Sequence, residues 1–170
     1  DLLPLCRAKN VAAVAFSVTG RGLLTGKIGA SPRFEPGDIR NMDPLFQRER
    51  LQSGLRIAGR LAELGARYGK TPVQAAVAWV LAQPGIVCAL TGPSKPANLL
   101  ENLGGSGWRI PDAELRPFNQ FLDEEALRLT AEQRQSVRNI LCQPLVDVEQ
   151  AFVDLVYAFE TALTLGWTSE

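Results

Sequence analysis

The sequence predicts an α/β fold in which two short parallel strands are joined by helices. Two continuous apolar runs, Val11–Phe16 and Ile86–Leu90, are typical of strands buried on both faces of a parallel sheet. Helical segments lie between these runs, as the crossover between two parallel strands requires. A third observation is that a turn containing glycine follows each run. The turn ends the run, so each run has the length of a strand rather than that of a helix.

The first half of the chain alternates helix, strand, loop and helix. Residues 2–9 predict a short helix before the first strand. Residues 17–46 are rich in glycine and proline and predict a loop far longer than usual. Leucine and alanine then recur at helical spacing along Gln47–Arg67, which predicts an amphipathic helix.

A capping box marks the next helix. In Thr71-Pro72-Val73-Gln74 the threonine and glutamine can cap each other's backbone N–H groups, with proline at the first helical position. This helix is expected to end before Pro84. Further helices are predicted at 96–103, after the second strand, and at 111–121.

The last third of the chain predicts a helical hairpin appended to the α/β unit. A second capping box, Thr130–Gln133, predicts a helix that runs to about Cys142, and Pro144 then breaks the chain. Apolar residues at helical spacing predict the second arm, to about Leu165: Val148, Phe152, Leu155, Phe159 and Ala162. We therefore expect two parts, residues 1–118 and 119–170. The hairpin docks either on its own domain, the favoured alternative, or on a second chain.

Composition excludes several classes of function. The 18 basic and 18 acidic residues cancel, whereas a nucleic-acid-binding protein normally has a basic excess. No apolar stretch is long enough to span a membrane, and residues 1–10 lack the apolar core of a signal peptide. The absence of histidine excludes Ser-His, Cys-His and His-metal mechanisms among these residues.

The three cysteines are widely spaced. Cys6, Cys88 and Cys142 fit neither a disulfide framework nor a CxxC metal site. We expect them to be buried free thiols in a reducing compartment, which predicts a cytoplasmic protein without a metal site.

The two turns after the strands are candidate anion sites. Ser17–Gly22 and Thr91–Lys95 each combine a hydroxyl, glycine and a cation, and the second precedes a helix whose N-terminus favours an anion. Because ligands bind at the carboxyl ends of parallel strands, the pair of turns suits a phosphate-bearing ligand. The alternative is that both turns are only structural, with Arg21 and Lys95 as ordinary surface charges.

Several motifs resemble the aldo-keto reductases, in the family's order and at compatible spacing. They are Phe16–Lys27, Tyr68–Pro72, Ala78–Leu81, and Thr91–Pro96 followed by Glu101 and Asn102. The resemblance covers residues 1 to about 118. It implies a (β/α)8 TIM barrel of which only the last strands and helices are present, so a missing N-terminal half or a second chain would complete it.

The resemblance also implies an NADP(H) site and a role for each matching residue. Phe16 takes the place of the ring that stacks on the nicotinamide, and Ser94 and Lys95, with Gly92, would hold the adenosine 2′-phosphate. Asn98 replaces a glutamine that is commoner in the family, and Glu101 and Asn102 would face the adenine. The residues expected along the pyrophosphate and other phosphates are Ser17, Thr19, Gly20, Arg21, Gly22, Lys27 and Arg40.

The chain also departs from the family elsewhere. Ser17-Val18-Thr19 stands where the family usually has Ser-Pro-Leu, and Phe16 stands where the family more often has Tyr or Trp. No residue matches the family's catalytic Asp, Tyr, Lys and His. The resemblance therefore implies an NADP-dependent reductase of aldehydes and ketones, of which this chain carries the cofactor-binding part without a catalytic residue. The alternatives are an inactive NADP-binding regulatory module and a truncated structural fragment that pairs with another chain.

Overall fold

The computed structural model describes residues 2–141, 153–154, 157–158, 160–161 and 164–165. The chain forms two compact units, described separately below. The first unit is Asp1–Pro32 with Gly54–Gln120, and the second is Arg33–Ser53 with Phe121–Glu170. Within the described ranges, no helix combines the length and apolar character needed to cross a membrane.

The helices and strands follow the predicted order. They are α1 (Leu2–Ala8), β1 (Ala13–Ala15), α2 (Arg48–Ala66), α3 (Pro72–Leu81), β2 (Ile86–Ala89), α4 (Pro96–Leu103) and α5 (Asp112–Leu141). The predicted long loop contains three short 3₁₀ turns, at Leu23–Thr25, Ile39–Asn41 and Pro44–Phe46. The α/β class is thereby confirmed, and it is consistent with part of a barrel.

The two strands pair in parallel. Ala13 lies opposite Ile86 and Ala15 opposite Ala89, with an irregularity in register between Ala13 and Val14. Since the strands run in the same direction, both carboxyl ends lie at one edge of the sheet. This edge holds the two glycine-containing turns.

The prediction that both strands are buried on both faces is wrong. Val14 and Val87 are more than half exposed, and Cys88 is also exposed rather than a buried thiol. Among the described residues, helix α3 packs on β2. Burial of a parallel sheet on both faces needs a layer of structure on each side, and the two strands cannot themselves provide the second layer. Cys6 is only partly buried, and Cys142 lies outside the described residues.

Helix α3 is the centre of the first unit. Thr71 and Gln74 form the predicted capping box, which fixes where the helix begins. The chain after α4 packs closely against this helix because Gly105 has no side chain. A Cβ on Gly105 would lie 2.6 Å from the Gln74 carbonyl oxygen. The buried apolar residues of α3 are Val73, Ala75, Ala76, Val77 and Ala78.

Helix α5 corrects the prediction for the last third of the chain. It is continuous over 30 residues, so the expected helix 111–121 does not end and Thr130 is not a helix start. The Thr130 hydroxyl instead donates to the carbonyl of Ala126 within the helix. The stripe predicted for the second arm, from Val148 to Ala162, lies outside the described residues, and the hairpin is not confirmed.

The described residues in the interior of the second unit include polar as well as apolar side chains. Phe46 and Leu51 are buried, and the rings of Phe34 and Phe46 meet edge to face with centroids 5.1 Å apart. Beside these apolar residues the unit buries Glu125 and Gln133 on α5, both less than 5% exposed. The Glu125 carboxylate accepts a hydrogen bond from the Ser53 hydroxyl at 3.2 Å.

Candidate ligand site at the carboxyl ends of the strands

The two turns begin side by side at one edge of the sheet. The Leu90 N–H donates to the Ala15 carbonyl at 2.7 Å, immediately before the chain leaves each strand. Ser17–Gly22 follows β1 and Thr91–Lys95 follows β2, so the structure brings the predicted turns together at the place where parallel sheets bind ligands.

The first turn is a compact, strained backbone structure. Ser17, Gly20, Arg21 and Gly22 all have φ between 51° and 95°, a left-handed conformation that is costly for serine and arginine. Turn hydrogen bonds hold it: the N–H of Gly20 donates to the Ser17 carbonyl at 2.8 Å, and that of Gly22 to the Thr19 carbonyl at 3.1 Å. Strain of this kind concentrates at binding sites.

Leu23 anchors this turn to the core. Its side chain is 1% exposed and lies against Gly54 of α2, where an added Cβ would approach Leu23 Cδ2 to 2.3 Å. The leucine fits only because Gly54 has no side chain. The turn therefore sits on a fixed support.

The second turn presents its polar groups to solvent. Ser94 and Lys95 are exposed, and Lys95 is the N-cap of α4 without a side-chain capping bond. The Lys95 ammonium thus adds to the positive end of the helix dipole. A Cβ built on Gly92 would meet nothing within 4 Å, which leaves the approach to this turn open.

An ion pair joins the first loop to α4. Lys27 Nζ lies 2.9 Å from Glu101 Oε2, with Lys27 61% and Glu101 24% exposed. These two predicted site residues are 74 positions apart in the chain. The pair links the loop after the first turn to the helix that follows the second turn.

Gln74 is a supporting residue that sequence reasoning recognised only as a helix cap. Its side-chain oxygen accepts from the Thr71 N–H at 3.1 Å, while its Nε2 donates to the Glu101 carbonyl at 3.0 Å. One amide side chain therefore caps α3 and fixes the backbone of α4. The capping box gave the first role, and no sequence signal gives the second.

The remaining residues of α4 and the aromatic ring differ in exposure. Phe16 is 81% exposed, so its ring face is free of other described residues over most of its area. Asn98 is partly exposed, whereas Asn102 is buried and only 9% exposed. Within the described part of the chain, no group of three Cys, Asp or Glu residues could hold a metal ion.

Arg40 lies in the second unit, where its guanidinium already has partners. Its Nη2 lies 2.6 Å from Asp38 Oδ2 and its Nε 3.0 Å from Asp38 Oδ1. The guanidinium carbon also lies 4.2 Å from the centre of the Phe34 ring. A phosphate at Arg40 would have to compete with this carboxylate.

The Asp38–Arg40 pair predicts a pH effect. Hydrogen bonds from the Arg40 side chain and backbone lower the pKa of Asp38 from 3.8 to about 2. The resulting contribution to folding is present above pH 3.8 and is lost as the pH falls through about 2. Carboxyl-carbon NMR should therefore show Asp38 titrating near pH 2. In Arg40→Met it should titrate at a higher pH that is still below its ordinary value, because the backbone N–H at position 40 still donates to Asp38. An unchanged titration in that variant would exclude the Arg40 side chain as a cause.

The fold is an α/β fold in which two glycine-containing turns begin side by side at the carboxyl ends of parallel strands. Residues 1–123 match the family profile described as "Aldo/keto reductase family". The chain belongs to the aldo-keto reductase family, which confirms the resemblance seen in the sequence.

Individual relatives agree with this assignment. "Aldo-keto reductase YhdN" from Bacillus subtilis (strain 168) is 35% identical over 124 residues, covering 72% of this chain and 38% of YhdN. "Aldo-keto reductase str7" from Strobilurus tenacellus is 32% identical over 126 residues, 74% of this chain and 38% of that protein. "Aldo-keto reductase yakc [NADP(+)]" from Schizosaccharomyces pombe is 28% identical over 122 residues, 72% of this chain and 36% of that protein.

A solved structure is similar in fold. The glycerol dehydrogenase AKR11B4 from Gluconobacter oxydans matches with a TM-score of 0.65 and 31% sequence identity. The match covers 74% of this chain and 38% of that chain. The chain thus spans less than two fifths of the length of these relatives, and residues 124–170 lie beyond the family match.

Proposed function

We propose that this chain binds NADP(H) at the carboxyl ends of β1 and β2, as the cofactor-binding part of an aldo-keto reductase barrel. The observation that carries the proposal is the adjacency of the two turns, fixed by the hydrogen bond between Leu90 and Ala15. It brings the start of the turn that contains Ser94 and Lys95 next to the start of the strained Ser17–Gly22 turn. A relative with "NADP(+)" in its name, yakc, supports this cofactor.

The described residues fit the parts of the dinucleotide. Ser94 and Lys95 supply a hydroxyl donor and a cation for the 2′-phosphate, at the N-terminus of α4. Gly20 and Gly22 let the pyrophosphate approach the backbone closely, because they carry no Cβ. The exposed ring of Phe16 offers a face for stacking on the nicotinamide.

Glu101 supplies the acceptor for the adenine. Its Oε2 accepts from Lys27, so Oε1 of the same carboxylate can accept from an exocyclic amine. Lys27 neutralises the carboxylate and holds it in one orientation. This arrangement makes Lys27 a positioning residue for the adenine end as well as a cation near the phosphates.

When bound, NADPH supplies a hydride to an aldehyde or ketone. The residues of this chain bind and orient the cofactor for that transfer, and none of them is proposed as the proton donor. Tyr68 contacts Trp108 and lies 3.5 Å from Glu114, whereas the Tyr157 hydroxyl donates to Glu49. Both phenol hydroxyls thus contact carboxylates on helices, Glu114 of α5 and Glu49 of α2.

Calorimetric titration of the purified chain tests the proposal. Adenosine 2′,5′-bisphosphate is expected to bind at least about tenfold more tightly than 5′-AMP, because only it carries the 2′-phosphate that Ser94 and Lys95 would hold. Absence of binding at millimolar nucleotide, or equal affinity for both nucleotides, would contradict the proposal.

A further inference from the structure

The backbone is strained where the long loop ends and α2 begins. Arg48, the first residue of α2, has φ of 44°, in the left-handed region that non-glycine residues rarely adopt. Such a conformation persists only where surrounding contacts hold it in place. The residues that make these contacts come from the far end of the chain.

Two residues beyond the family match contact this junction. The Tyr157 hydroxyl donates to Glu49 Oε2 at 2.7 Å. The Arg48 guanidinium pairs with Asp154 and lies 6.0 Å from the centre of the Tyr157 ring. The first two residues of α2 are therefore each held by the C-terminal segment, defined here as the described residues between 153 and 165.

The contacts come from one buried face of this segment. Its described residues are helical from Val153 to Thr164, and positions 154, 157, 158 and 161 share a helical face. Tyr157 is 1% exposed and Thr161 is fully buried. Burial, together with the hydrogen bond to Glu49, raises the pKa of Tyr157 to about 12, so its hydroxyl remains a donor at neutral pH.

The loop on the other side of the junction is internally bonded. In the distal loop, defined as residues 33–47, the Asn41 side chain donates to the Glu35 carbonyl at 3.0 Å. Gln47 Nε2 donates to the Asn41 carbonyl at 2.9 Å. Gln47 directly precedes Arg48. A change in the backbone at Arg48 would therefore move Gln47 and disturb these hydrogen bonds within the loop.

We propose that the C-terminal segment is a brace that holds the strained start of α2, through Tyr157 on Glu49 and Asp154 on Arg48, and thereby orders the distal loop. The brace acts within the second unit, which joins Arg33–Ser53 to the C-terminal residues. It assigns a role to residues outside the family match, and it does not depend on nucleotide binding. Tyr157 and Asp154 are accordingly positioning residues for the loop.

Amide hydrogen exchange of the full chain tests the brace. In Tyr157→Phe and in Asp154→Asn we expect the amides of 34–47 to exchange about tenfold faster, since the first variant loses the hydrogen bond to Glu49 and the second loses the charge of the ion pair with Arg48. The amides of α3 should be unchanged. The control Tyr68→Phe removes a hydroxyl from the first unit and should leave the distal loop as it is. Unchanged exchange in the loop, or an equal increase in α3, would overturn the proposal.

A second pair of variants separates the brace from ordinary packing. Arg48→Ala and Arg48→Gly both lose the contact with Asp154, but only glycine relieves the left-handed backbone. We therefore expect faster loop exchange in Arg48→Ala than in Arg48→Gly. A normal helical position gives the opposite order, because glycine is the poorer helix former. Finding that opposite order would show that no strain is being held.

Discussion

Leu23→Ala is expected to lower the free energy of unfolding by about 2–5 kcal/mol, the usual range for a buried leucine. The side chain is 1% exposed and is the apolar anchor beneath the Ser17–Gly22 turn. Its removal leaves a cavity against α2, and it frees a turn whose left-handed residues need support. Urea unfolding followed by tryptophan fluorescence measures the effect. A loss below about 0.5 kcal/mol, the range of surface substitutions, would contradict it.

The contact with Gly54 makes this prediction sharper. Gly54→Ala would put a Cβ 2.3 Å from Leu23 Cδ2, an overpacking expected to cost about 1–3 kcal/mol. In the double variant with Leu23→Ala the new methyl group has room, so the combined loss should be smaller than the sum. Gly59→Ala is the matched control, since it lies on the same helix with nothing within 4 Å. It should stabilise by up to about 1 kcal/mol, and additive losses at 23 and 54 would exclude the contact.

The two capping boxes show what the sequence can predict about the fold. At Thr71 the preceding Gly69 adopts φ of 64° and the chain changes direction, so the box begins α3. At Thr130 the preceding residues, Leu122–Leu129, contain neither glycine nor proline and favour helix throughout. Nothing ends α5 before Thr130, and its hydroxyl stays inside the helix. A capping motif therefore predicts a helix start only where a second signal ends the previous helix.

The parts of the candidate site that are formed by residues close together in the sequence could be predicted from it. The glycines and cations of both turns stand next to strands, and the parallel pairing brings them to one edge. The contacts between Lys27 and Glu101 and between Gln74 and Glu101 join residues 74 and 27 positions apart, and no local pattern encodes them. Nor does the sequence show that the guanidinium of Arg40 forms an ion pair with the Asp38 carboxylate.

Exposure of the strands could not be predicted from their composition. An apolar run indicates that a strand can be buried on both faces. Whether it is buried depends on the helices or strands that other parts of the fold pack against those faces. Val14 and Val87 are therefore apolar and exposed among the described residues. Asn102, which the resemblance to the family places facing the adenine, is buried on α4, and its residue type alone does not indicate that burial.

Lys95→Met is expected to weaken binding of adenosine 2′,5′-bisphosphate by about 10- to 100-fold, the range for loss of one charge-assisted hydrogen bond. The affinity for 5′-AMP should change by less than about twofold, since 5′-AMP has no phosphate to reach Lys95. The methionine keeps the length of the side chain and removes only the ammonium group. Calorimetry with both nucleotides separates loss of the 2′-phosphate contact from a general loss of binding.

Lys9→Met is the matched control for this variant. Lys9 is also exposed but precedes β1, at the edge of the sheet opposite to the two turns. Its removal changes net charge by the same amount and should leave both affinities unchanged. Raising the salt concentration from 0.05 to about 0.5 M should weaken binding of the bisphosphate more in the wild type than in Lys95→Met, because the variant has lost the screened charge. Equal weakening of both nucleotides in Lys95→Met, or an equal effect of Lys9→Met, would mean that the phosphates are bound by non-specific attraction to surface cations. Lys95 would then have no specific role in selecting the 2′-phosphate.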